Sequence, residues 1–190
     1  MLRKIVPSLA VVLLAMPALA HPGHEGLSGF LHPFTGIDHL LAMLAVGAWA
    51  CLLSSAHRSA SVAVPGAFLA MMALGAVAGF AGIKLPLAEA AILASVFAFG
   101  ALMVAAVRLP AAWAMAVAGL FALFHGYAHA LEAPAGAPGA YAFSFLAATG
   151  VLLAAGWGLG YGARRLVGEV GLRALGGVVL AGGALVLAAH

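Results

Sequence analysis

The sequence predicts an all-α, polytopic membrane protein with about six transmembrane helices behind a cleaved signal peptide. Three observations carry that expectation. Hydrophobic residues fill 66% of the 190 positions and charged residues only 7%, where soluble domains run near a quarter charged. Six apolar segments, each close to the ~20 residues a helix needs to cross the hydrocarbon core, follow one another at 36–53, 62–83, 88–107, 110–131, 141–162 and 171–189. The chain also opens with the three-part pattern of a secretory signal.

In that leader, residues 1–20, Arg3 and Lys4 precede an apolar run over 5–16, and Ala18-Leu19-Ala20 forms a small-residue cleavage site. An uncleaved signal anchor is the alternative. Cleavage would leave His21 as the mature N-terminus of a histidine-rich periplasmic segment, 21–35, ahead of a single membrane domain, 36–190. The breaks between spans are polar or carry proline: Ser54-Ser55-Ala56-His57-Arg58, Lys84-Leu85-Pro86, Arg108-Leu109-Pro110, a Pro/Gly stretch at 134–139, and Arg164-Arg165. With the mature N-terminus outside, Arg58, Arg108, Arg164, Arg165 and Arg173 fall inside and only Lys84 outside, as the positive-inside rule expects. Both termini then face the periplasm of a bacterial inner membrane. Glycines favour close helix contacts: Gly75 and Gly79 in the second span, Gly156, Gly158, Gly160 and Gly162 in the fifth, and Gly176, Gly177, Gly182 and Gly183 in the sixth. Contacts within the chain are the expected use, and a homo-oligomer is the other. Three spans plus three would give halves of opposite topology, although no internal sequence repeat accompanies them.

Composition also excludes function classes. The net charge of +3 comes from basic residues scattered at segment ends, so no nucleic acid partner is expected. The lone Cys51 excludes a disulfide framework and a cysteine-rich metal site, and packing is its expected role. No GxxxxGK[ST] loop is present, so this chain is not expected to hydrolyse ATP. No resident cofactor and no enzymatic activity are expected; the bilayer is its solvent.

The polar residues that remain are one-sided. His21, His24, Glu25, His32, Asp38, His39, Glu89, His125, His129, Glu132 and His190 fall on the outer side, and only His57 and Glu169 on the inner. Ionisable groups in or at a membrane are costly and point to function. In the run 32–43, Pro33 and Gly36 shape the entry to the first span. Asp38 and His39 sit in its first turns, with Met43 four residues further on the same face. As an isolated pair, Asp38 would cap the helix and His39 would pack. The run 124–132 shifts the balance, because His125 and His129 stand one helical turn apart and Glu132 continues their face. That spacing suits one divalent metal, as in helical zinc sites, and a structural hydrogen-bond network is the alternative. Glu89, opening the third span, reads as a ligand from a third helix, a cation attractor or a partner of the helix dipole. His21 and His24 read as a metal-capturing arm or as a plain tail.

These runs carry a resemblance. HPFTGIDHLLAM in the first span and FHGYAHALE in the fourth resemble the HupE/UreJ family of nickel and cobalt permeases, and the likeness extends over most of the chain. It implies secondary uptake of a divalent metal, nickel or cobalt, from periplasm to cytoplasm. It also implies cytoplasmic metallochaperones of hydrogenase or urease as partners. By motif, the implied metal-handling residues are His32, Asp38, His39, His125, His129 and Glu132. Zinc is a further candidate ion, since N/O affinities do not themselves select the metal.

Imidazole binds metal as the neutral ring, so affinity is expected to fall as pH drops through about 6.5. Two rival classes share the residues. A zinc-dependent intramembrane hydrolase would keep an open coordination position for water, and a haem protein would set His39 and His125 on opposite sides of a macrocycle.

Overall fold

The computed structural model describes residues 25–134 and 136–189, with side chains from Ser28 onward. The expected signal peptide, His21, His24 and His190 lie outside the described residues. Those described form seven helices: α1 Glu25–Thr35, α2 Ile37–Leu53, α3 Ala60–Phe80, α4 Ala88–Val104, α5 Ala111–Leu131, α6 Pro138–Val167 and α7 Glu169–Ala189. No strand occurs among them.

Helices α2–α7 fall on the six apolar segments. Four of them, α3, α5, α6 and α7, are long and apolar enough to cross a membrane, and α1 with α2 makes a fifth candidate broken by an 85° bend. The 17-residue α4 is apolar but shorter. Two details depart from the sequence expectation. The stretch before the first span is helical from Glu25, even with Pro33 inside it. The Arg164-Arg165 pair does not break the fifth segment but forms the last turn of the 30-residue α6. Two cations suit a helix C-terminus, where unpaired carbonyls gather negative charge, and the Arg165 guanidinium lies over the Tyr161 ring one turn back. The break comes instead at Gly168, whose φ of 70° and ψ of −151° only glycine adopts without strain.

Glycine pairs the helices. A Cβ at Gly75 or Gly126 would fall on backbone of the facing helix, Leu123 and Tyr127 in one case and Met72 in the other, so α3 and α5 touch backbone to backbone. Gly47 and Gly156 do the same between α2 and α6, and Gly176 between α4 and α7, where Gly100 faces the Leu180 side chain. Without a hydrophobic drive between helices in lipid, such close van der Waals contact holds them together. By contrast, Gly158, Gly162 and Gly177 meet nothing within 4 Å. The three close pairs, α2 with α6, α3 with α5 and α4 with α7, are those that a two-fold relation between α2–α4 and α5–α7 would generate.

The two ends of the bundle differ chemically. Where α2, α4 and α6 finish, Arg108 Nη2 pairs with Glu169 Oε2 at 2.5 Å, Arg108 Nε donates to Ser55 Oγ at 3.3 Å, and Arg173 Nε donates to the Val104 carbonyl at 2.7 Å. Trp49 Nε1 donates to the Val107 carbonyl nearby. Trp49, Phe99 and Phe121 contact in succession, tilted and then edge to face, with centroids 5.8 and 5.6 Å apart. The opposite end holds the histidines.

Candidate metal centre

Gly36 builds the entrance to this centre. Its extended backbone (φ −80°, ψ 110°) interrupts the chain between α1 and α2, and its carbonyl accepts the first hydrogen bond of α2 from the Leu40 amide. The 85° bend lays α1 across the end of the bundle. Gly29 fits against the Tyr141 backbone and ring, which brings His32 over the ends of α2 and α5.

Five side chains from three helices, with Glu132 at the end of α5, then converge. The His39 ring lies edge-on to both His125 and His129 with centroids 4.8 Å apart, and His32 lies 5.0 Å from His129. His32 Nε2 donates to Glu132 Oε2 at 2.5 Å. Metal-ligating atoms of His32, His129 and Glu132 all lie within 4.8 Å of one another. Exposure differs across the cluster: the Glu132 side chain is 52% exposed, His32 32%, His39 11%, and His125 and His129 are fully buried.

Asp38 does not cap its helix, since the capping position is Gly36 with no side-chain bond. Its Oδ1 instead accepts from the His39 amide at 2.8 Å and from His39 Nδ1 at 3.0 Å. A carboxylate can only accept here, so His39 carries its proton on Nδ1 and turns a bare Nε2 toward the cluster. This is the carboxylate–imidazole arrangement that orients metal ligands in other proteins. That Nε2, His125 Nδ1 and both nitrogens of His129 are buried without a hydrogen-bond partner. Such a group left unpaired costs about 1–3 kcal/mol, and these nitrogens gather where a cation or an ordered water could satisfy several at once.

Of the residues named from sequence, His32, Asp38, His39, His125, His129 and Glu132 are brought together. Glu89 stands in the first turn of α4 and lines the recess of about 590 Å³ at the mouth, with His32, Asp38, His39 and Glu132. It faces the same space, but no side chain holds it. No sequence motif includes Ser95, whose buried Oγ lies 3.0 Å from His125 Nε2, Phe145, stacked on His129 at 4.8 Å and 14°, or Thr149, one turn further along α6, whose buried hydroxyl has no hydrogen-bond partner among the described residues. A serine, a phenylalanine and a threonine inside apolar helices carry no pattern of their own; only the fold sets them against the imidazoles.

The hydrogen bond from His32 holds the Glu132 carboxyl below its ordinary value of 4.5, against the opposing effect of partial burial. A depressed carboxylate pKa stabilises the fold above the unfolded value, and that contribution is lost as pH falls through the folded value. The Tm difference between metal-free wild type and Glu132→Gln should therefore be constant above about pH 5 and close below it. A difference that persists unchanged at pH 3 would show that the carboxylate charge is not what holds His32.

A bundle of apolar helices with a buried imidazole–carboxylate cluster at one end defines the class: a helical membrane protein with a candidate cation site. The chain belongs to the HupE/UreJ family. Residues 9–186 match the family described as HupE / UreJ protein. The chain is 43% identical over 192 residues to Protein HupE of Rhizobium leguminosarum bv. viciae, covering 97% of each chain. No solved structure matches it.

Proposed function

We propose that the protein is a secondary permease that carries nickel, or cobalt, from the periplasm to the cytoplasm. The HupE/UreJ family is associated with nickel and cobalt uptake for hydrogenase and urease. The observation that carries the reading for this chain is the set of buried, unpaired imidazole nitrogens at His39, His125 and His129 beneath a mouth lined by Glu89, Asp38 and Glu132. Such donors suit borderline divalent ions.

In this reading α4 spans the membrane as well, which makes six spans. At roughly 25 Å it is short of the ~30 Å hydrocarbon core, and local thinning or flanking residues absorb the difference. The arginine end faces the cytoplasm and the histidine end the periplasm. A hydrated cation enters the recess, drawn by Glu89, Asp38 and Glu132, and exchanges water for His32, Glu132 and His129, then for the deeper His39 and His125. Exchangeable N/O ligands bind well enough to admit the ion and weakly enough to release it. Toward the arginine end lie the Trp49, Phe99 and Phe121 rings and the Arg108–Glu169 ion pair; in this reading the ion must pass them to reach the cytoplasm. The membrane potential favours entry by about 2.3 kcal/mol per charge per 100 mV, and a divalent ion feels it twice.

The packing weighs against haem, because the His39 and His125 rings meet edge to face at 4.8 Å with no space for a macrocycle between them. The test is radioactive nickel uptake into cells expressing wild type or Asp38→Ala, with cobalt as competitor. Asp38→Ala should lose at least tenfold at normal membrane abundance, the size of effect that orienting partners of metal ligands show. Wild-type uptake no greater than that of empty cells would sink the nickel and cobalt assignment and turn attention to zinc-dependent hydrolysis.

A further inference from the structure

The floor of the centre contains a hydroxyl that none of the sequence motifs includes. Ser95 lies in α4, fully buried, and its Oγ sits 2.6 Å from the Ile92 carbonyl oxygen and 3.0 Å from His125 Nε2. A serine hydroxyl has one proton and two acceptor lone pairs. The Ile92 carbonyl can only accept. If the proton pointed at His125 instead, two bare oxygens would face each other at 2.6 Å with nothing between them. The proton therefore goes to Ile92, and the remaining contact forms only if His125 Nε2 carries a hydrogen and donates it to Ser95.

That assignment fixes the other side of the ring. With Nε2 protonated, a neutral His125 has its lone pair on Nδ1, and Nδ1 is the buried, unpartnered atom of this ring. We infer that Ser95 is a positioning residue for His125: it holds the imidazole as the Nε2–H tautomer, so that Nδ1 presents its lone pair to the histidine cluster. The logic parallels Asp38 on His39 with the nitrogens exchanged, because Asp38 protonates Nδ1 and frees Nε2. The two deep rings are thus set by two different helices, α2 through Asp38 and α4 through Ser95. His129 has no such partner on either nitrogen and is held by stacking on Phe145. The metal-directed half of this inference rests on the reading of the centre as a transport site; the tautomer does not.

Purified, metal-free protein labelled with ¹⁵N at histidine separates the two. The His125 resonances, identified by their absence in His125→Gln, should report protonated Nε2 and bare Nδ1 in wild type. In Ser95→Ala they should report a mixture of tautomers, with nickel affinity, measured by calorimetry, weaker by about 10- to 100-fold. A serine that only packs would lower the Tm without moving the tautomer. Nδ1 protonated in wild type, or a tautomer and affinity unchanged in Ser95→Ala, overturns the inference. Wild type that binds no nickel or cobalt, yet loses the fixed tautomer in Ser95→Ala, overturns the proposed cargo and upholds Ser95 as the group that sets the His125 ring.

Discussion

Nickel accumulation in cells expressing His129→Ala is expected to fall to that of cells lacking the protein, the largest loss from any single side chain here. His129 is the ring that touches every layer of the centre. It lies 5.0 Å from His32 and 4.8 Å from His39, and its ligand atoms lie within 4.8 Å of those of His32 and Glu132. It is fully buried, yet neither nitrogen has a partner. That combination makes the metal-free ring a liability, since unpaired buried nitrogens cost about 1–3 kcal/mol each. Removing the ring loses its stack on Phe145 and leaves a cavity, so the metal-free variant should unfold somewhat below wild type. The difference appears with the ion. A ligand that binds only the folded state stabilises it by about 2.7 kcal/mol at a hundred times its Kd. Wild type in detergent should therefore show a nickel-dependent rise in Tm that His129→Ala lacks. An equal rise in both proteins would remove His129 from the ion's path.

Much of this was legible in the sequence, and the reasons separate cleanly. Apolar runs bounded by proline and charge report helices directly, because lipid leaves the backbone no other way to satisfy its polar groups; hence α2–α7 coincide with the six segments. His125 and His129 were legible as a pair because helical spacing alone puts them on one face. That they meet His39 required the fold, in which Gly36 bends α1 over the bundle and α2 and α5 share one end. The role of Asp38 changed for the same reason: spacing made it a candidate ligand or cap, whereas geometry gives its Oδ1 to His39. The extent of α6 is hidden in the sequence because paired arginines suit a loop and a helix C-terminus equally, and Arg164 and Arg165 occupy the latter. Ser95 was invisible, being one small residue in an apolar run whose meaning is its distance from a ring 30 positions away.

Gly126→Val is expected to abolish uptake and to lower the Tm together, although residue 126 carries no ligand atom. The glycine lies between His125 and Tyr127 in the helix turn that supplies both deep α5 histidines. A Cβ there would overlap the Met72 carbonyl and approach its carbon and Cα. Those are backbone atoms of a helix, so no rotamer relieves the clash, and α3 and α5 must separate. Overpacking of this kind typically costs about 1–3 kcal/mol, and the separation carries His125 and His129 away from His39 and Ser95. Three further contacts between the same helices, at Gly75, Gly79 and Gly119, resist the movement, which keeps the strain at residue 126. Gly158→Val is the matched control: the same substitution, one helix away, where nothing lies within 4 Å. It should leave both Tm and uptake at wild-type values. If Gly126→Val transported normally, the close approach of α3 and α5 would not be what sets the two histidines, and the site would tolerate ring positions well away from those described. If Gly158→Val failed as badly, the loss at Gly126 would reflect a helix weakened by valine rather than a displaced site.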